Sequence, residues 1–305
     1  MGFEKLIGFL SRNLSYGCME DLSLDNSIKK VLANHVFFDL NFIIYHCVIE
    51  LEDEINNVLK IIYNLPFNYN DLLEKKIESI LNKEYWKNCN LSIENILDGK
   101  SEKEIVDNFK NFLEQNTVND YPIIFKILYW KIFLKICSMI DNFHDQKFIE
   151  SINIFLDGIP SYSKILEQRR RRSKNFLEAK IRKKRFESKF NNMYNDIIED
   201  GDIKYNYFSW LYSKFSINKS IGPTSKLTIG LERFLDDKFK TKFPSINISI
   251  NHGFNHGESD NKIFKDIYNS DIENDVIIHT CDSDLVHQII SQQCYLNIKQ
   301  KNIYF

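Results

Sequence analysis

The residues of this chain best placed to do chemistry are carboxylates at the ends of apolar runs. Three such stations read Val36-Phe37-Phe38-Asp39-Leu40-Asn41, Ile154-Phe155-Leu156-Asp157-Gly158 and Val276-Ile277-Ile278-His279-Thr280-Cys281-Asp282-Ser283-Asp284. A fourth acidic pair, Glu258 and Asp260, lies in a segment rich in Gly, Asn and His. If the apolar runs are buried parallel strands, their carboxylates arrive at one rim of a sheet, where open α/β folds bind ligands. Carboxylates gathered there repel one another, and a divalent cation with a preference for oxygen, Mg²⁺ or Mn²⁺, relieves the repulsion. Each station taken singly has a plainer role, because Asp after a strand also forms turns and caps helices.

A basic segment follows the second station. Between Lys164 and Lys189 stand twelve Lys or Arg against three Glu, a local net charge of +9. The chain's overall −2 leaves −11 on the remainder, so a cationic strip meets an acidic body. On a helix, Lys164, Gln168, Arg171 and Arg172 fall at i, i+4, i+7 and i+8, which is one face. Such a face suits a phosphate group held by several charge-assisted hydrogen bonds. A solvated basic helix and a nuclear-import patch are the competing uses of the same residues. Cation site and cationic face together suggest a nuclease.

The elements that must position these groups follow from the hydrophobic pattern. Val36–Leu40, Ile152–Leu156, Ile246–Ile250 and Val276–His279 read as strands, and Cys294–Phe305 as a closing strand. Helices are predicted over 4–14, 43–60, 122–140, from the Gly222-Pro223-Thr224 turn to about Phe239, and over 261–268. Residues 164–200 read as a long charged helical region. Polar helices at 71–84 and 101–115, joined by Asn-rich pieces, form a helical insertion over 50–120 within a single domain of 1–305. Strands alternating with helices predict an α/β fold, a mainly parallel central sheet flanked by helices.

The order of motifs resembles the N-terminal nuclease region of the XRN-type 5′→3′ exoribonucleases, whose core is PIN/FEN-like. Asp39-Leu-Asn41-x-Ile43-Ile44-x-x-Cys47 is similar to that family's D-x-N-G-I-I-H-x-C. Asp157-Gly158-x(5)-Lys164-x(3)-Gln168-x-x-Arg171-Arg172 is similar, without a gap, to D-G-x(5)-K-x(3)-Q-x-x-R-R. Gly222-Pro223-Thr224, Gly257-Glu258-x-Asp260-x-Lys262 and Cys281-Asp282-Ser283-Asp284-Leu285 resemble the P-G-T, G-E-G-E-H-K and L-D-A-D-L motifs. The resemblance implies that Asp39, Asp157, Glu258, Asp260, Asp282 and Asp284 hold two Mg²⁺ or Mn²⁺ ions. It implies that Lys164, Gln168, Arg171 and Arg172 hold the 5′-monophosphate of single-stranded RNA, with Asn41 and Tyr45 beside the first nucleotide. Tyr45 stands where the family has a stacking His, Ser259 where it has Gly, and Asp260 where it has Glu. The family's further metal-binding Asp has no counterpart before Phe305. Two alternatives therefore accompany the exonuclease: a protein that binds RNA 5′ ends without turnover, and a flap-type DNA nuclease.

The six cysteines form no CxxC pair, which speaks for reduced thiols, and His252 and His256 lack the companions of a zinc site. Lys126, Lys131 and Lys135 interrupt the most apolar stretch, Ile123–Ile140, so a buried helix is expected there and no membrane span. The first residues carry no secretory pattern, and the expected location is cytoplasmic, or nuclear if the basic strip directs import. Plentiful Asn, Ile, Lys, Phe and Tyr suggest an A+T-rich genome such as that of a large DNA virus or a protist, and a viral source would place the protein in host cytoplasm. Three roles are open to the helical insertion: capping the groove, standing in for the C-terminal brace of the family, or binding a protein partner.

Overall fold

A computed structural model describes residues 30–64, 70–90, 96–97, 102–115, 121–162, 164–166, 169–170, 173–174, 177, 222, 225–269, 275–296 and 303–304. The described elements are β1 (His35–Asp39), α1 (Leu40–Asn64), α2 (Asn70–Leu81), α3 (Glu84–Lys87), α4 (Glu102–Glu114) and α5 (Ile123–Phe143). They continue with β2 (Ser151–Phe155), α6 (Lys226–Lys242), β3 (Asn247–Asn251), α7 (Ser259–Asn269), β4 (Val276–His279), α8 (Ser283–Leu296) and β5 (Ile303–Tyr304). The helix predicted over 4–14 lies outside the described residues. The chain falls into two compact units, one of residues 1–46, 131–159 and 228–305, the other of 47–130 and 160–227.

The first unit carries the sheet, an α/β arrangement with all its strand pairs parallel. The strand order is β3-β2-β1-β4-β5. The first strand of the chain is therefore central, and the order reverses between β1 and β4. That reversal is the topological switch point, where ligands enter at the carboxyl ends of the strands. β1 and β4 read as unbroken apolar runs because both their faces are covered. On one face Phe37, Phe155, Val276 and Ile278 pack against Ile263 and Ile267 of α7 and Leu285 and Ile289 of α8. On the opposite face Phe38 stacks on His279 at 4.7 Å between ring centres.

The expected closing strand differs from what is found. α8 runs through to Leu296, and among the described residues after it Ile303 and Tyr304 pair, parallel to β4. Leu285 and Ile289, one helical turn apart, are buried in the sheet-face cluster and anchor the helix, which carries on past the expected boundary.

The second unit is pinned by one carboxylate. Glu54, buried on α1, accepts hydrogen bonds from Lys83 Nζ (2.7 Å), Tyr85 Oη (2.6 Å) and Trp86 Nε1 (3.1 Å). Burial and the charge of Glu54 keep the Tyr85 phenol protonated well above its usual range. Trp86, wholly buried, packs beside Phe109 of α4. Glu54→Ala leaves the buried Tyr85 hydroxyl and Trp86 indole without this acceptor. We expect a loss of about 3 kcal/mol in urea denaturation, with Glu54→Gln recovering much of it through its amide oxygen.

Candidate metal centre

Asp39 ends β1 and is buried at the switch point. Its Oδ1 accepts from the Ser259 hydroxyl (2.8 Å) and the Asn41 backbone N–H (3.2 Å), and its Oδ2 from the Thr280 hydroxyl (3.2 Å). The backbone N–H of the same Ser259 donates to Asp157 Oδ1 (2.9 Å). Thr280 Oγ1 accepts from the backbone N–H of Asp282 (2.9 Å), and Asp282 Oδ1 from that of Asp284 (2.8 Å). One hydrogen-bonded chain thus runs Asp157–Ser259–Asp39–Thr280–Asp282–Asp284 along the carboxyl ends of β2, β1 and β4.

Burial raises the Asp39 carboxyl from 3.8 to about 6, and the charge of Asp157 adds to the rise against three opposing hydrogen bonds. A carboxylate held this way gains from a cation beside it. The side chains along this line offer a cation only oxygens, which suits a hard divalent ion. His252, one of the two histidines weighed for zinc, is engaged instead with Glu232 (3.1 Å). Among the described residues no three Asp, Glu, His or Cys side chains converge at ligand distance.

The remaining acidic residues are placed as follows. Glu258 is half-buried just before α7, and Asp260 is buried in its first turn, its Oδ1 accepting from the Asn261 backbone (2.6 Å) and side-chain (3.1 Å) amides. Asp284 is exposed, and the Asp282 carboxylate caps the start of α8, the plainer role its sequence position also allows. Asn41 and Tyr45 stand one turn apart on α1, and Tyr45 is exposed. Lys164 is helical and half-buried, while Gln168, Arg171 and Arg172 lie outside the described residues.

Ser259 and Thr280 are the site residues that sequence reasoning passes over. A serine in place of the family's glycine reads as a loss, yet its hydroxyl and amide tie two carboxylates together. Lys262 is a third. Its buried ammonium donates to the Leu156 carbonyl (2.9 Å) and the His252 carbonyl (3.0 Å). Burial pushes its pKa down, and the charges of Asp157 and Glu232 oppose that shift. Glu232 on α6 also accepts from the Gly253 backbone N–H (2.7 Å), fastening the loop before Glu258. Beside the site, His144 and His279 share one hydrogen bond between their Nε2 atoms (2.8 Å), and burial lowers both pKa values, to about 4 and about 3.

Residues 110–298 match the family model described as XRN 5′-3′ exonuclease N-terminus. The matched span takes in the Asp157, Glu258 and Asp282 stations, and Asp39 precedes it. No match was found among curated proteins or among solved structures. No helix of the described residues is long and apolar enough to cross a membrane.

Proposed function

Because the chain belongs to the XRN 5′-3′ exonuclease family through its N-terminal nuclease region, we propose that it degrades 5′-monophosphorylated single-stranded RNA from the 5′ end. The observation that carries this reading is the buried Asp39 at the switch point, linked through Ser259 to Asp157 and through Thr280 to Asp282. In this reading Asp39, Asp157, Glu258, Asp260, Asp282 and Asp284 hold two ions, Mg²⁺ or Mn²⁺. When bound, the ions supply the charge that activates water and stabilises the leaving oxygen.

The protein's own share is orientation. Ser259, Thr280 and the Asn41 N–H fix both oxygens of Asp39, so its lone pairs need little rearrangement when a cation arrives. Lys262 holds the ends of β2 and of the 252–258 loop together and thereby sets where Asp157 and Glu258 stand. Lys164, Gln168, Arg171 and Arg172 grip the 5′-monophosphate, and Tyr45 stacks beside the first base with Asn41 near it. Phosphate contacts carry no base information, so sequence preference is weak. Residues 50–120 are an insertion in the nuclease domain and the surface for a protein partner.

A second reading, an RNA 5′-end-binding protein without turnover, is favoured by Asp282 being taken up as the cap of α8 while Asp284 is exposed. One labelled RNA bearing either a 5′-monophosphate or a 5′-hydroxyl separates the two, with Mg²⁺ or Mn²⁺ and an Asp282→Ala, Asp284→Ala double variant alongside. The exonuclease digests the monophosphate RNA, and the double variant does not. Tight binding to the monophosphate end with no digestion in either metal sinks the exonuclease and leaves the end-binder.

A further inference from the structure

An exposed aromatic ring stands on a loop that is otherwise fastened at nearly every residue. Phe254 is 56% exposed, although burying a Phe side chain is worth about 2 kcal/mol. The backbone on both sides is fixed. Before it, the Gly253 N–H donates to Glu232 Oε1 (2.7 Å) and the His252 carbonyl accepts from Lys262 Nζ (3.0 Å). After it, the Asn255 N–H returns to the His252 carbonyl (3.1 Å), the Asn255 side-chain amide donates to Asn251 Oδ1 (3.0 Å), and Gly257 N–H donates to the Ile159 carbonyl (3.0 Å). The ring is therefore held out by its scaffold, and ordering it on contact with a ligand costs little entropy.

Its place relative to the acidic site is set by Gly158. A Cβ built there would lie 1.6 Å from the Asn255 carbonyl oxygen, so the loop rests directly on the residue that follows Asp157. Phe254 is thus one residue from the backbone that touches the Asp157-Gly158 turn. Single-stranded RNA offers unstacked bases, and aromatic side chains stack on them without regard to sequence. That tolerance suits an enzyme through which every base must pass.

We propose that Phe254 is a positioning residue whose ring stacks on a base of the RNA strand engaged beside Asp157, an inference that rests on the exonuclease reading. The test uses the full chain, Mg²⁺ and a set of 5′-monophosphorylated RNAs, each lacking one base at a different position near the 5′ end. The readout is kcat/KM for release of the first nucleotide, with thermal melting to verify folding. Stacking predicts that Phe254→Ala loses on the order of tenfold on the intact RNA. On one of the base-lacking RNAs wild type loses a similar factor and the variant loses nothing further. Phe254→Trp retains the rate, and Phe254→Leu falls with alanine. Wild-type digestion with losses that multiply independently at every position, or with Phe254→Ala as fast as wild type, overturns the stacking role and leaves the exonuclease standing. Failure of wild type to digest or bind any of these RNAs overturns both.

Discussion

Asp39→Asn is expected to slow RNA digestion steeply while making the metal-free protein more stable. The unfolded carboxyl ionises near 3.8 and the folded one near 6. Between those values the native state binds more protons than the unfolded state, so stability falls as pH rises, and the full penalty is in force above pH 6. About two pH units correspond to about 3 kcal/mol. An amide does not ionise and escapes the penalty. Its oxygen still accepts from Ser259 and Asn41 N–H, and its NH₂ finds the Thr280 hydroxyl oxygen. Metal-free wild type and Asp39→Asn should therefore melt together near pH 3.5 and separate by several degrees at pH 7.5, with the variant higher. Added Mg²⁺ should raise the melting temperature of wild type and leave the variant nearly unchanged. Digestion should fall by a factor on the order of a hundred to a thousand, the scale of losing one group that organises charge in a transition state. A variant less stable than wild type at pH 7.5 without metal would show that Asp39 is not a strained carboxylate.

Gly158→Ala is the second large effect, and its cause is space. The new Cβ would meet the Asn255 carbonyl at 1.6 Å for the oxygen and 2.8 Å for the carbon, with Lys262 Nζ at 2.9 Å. Two of these atoms are backbone and do not swing aside. The loop must lift, which breaks the hydrogen bond from Gly158 N–H to the Gly257 carbonyl (2.8 Å) and strains that from Gly257 to Ile159. We expect a loss of about 3 kcal/mol in chemical denaturation. Ser259 follows the same loop, so its hold on Asp157 and Asp39 goes as well, and digestion should disappear even where the variant remains folded. Wild-type stability for Gly158→Ala would mean that the two turns are not in contact.

Strands β1 and β4 were legible because parallel strands covered on both faces show as apolar runs, and Asp39 marks where β1 stops. The rim of acidic residues was legible for the same reason. What holds the rim together was not. Ser259 and Thr280 meet Asp39 across separations of 220 and 241 residues, and nothing in a local pattern marks a hydroxyl as the bridge between two acids. Glu54 is a similar case, since three donors from residues 83–86 choose one acid among the several on α1. The closing strand lies within 294–305 but cannot start at Cys294, because residues 294–296 have no turn signal separating them from α8, whose course is set by Leu285 and Ile289 packing on the sheet.

The same separations have a meaning in time. As the chain emerges from the ribosome, Asp39 and Asn41 come together, but Thr280 is added 241 residues after Asp39. At roughly 5–20 residues per second that interval is about 10 to 50 seconds. Until Ser259 is made Asp39 lacks two of its three donors, and until β4 is made the central strand has no neighbour on that side. Whatever depends on the full set of Asp39 contacts therefore waits for β4 and Thr280, however early Asp39 itself is made.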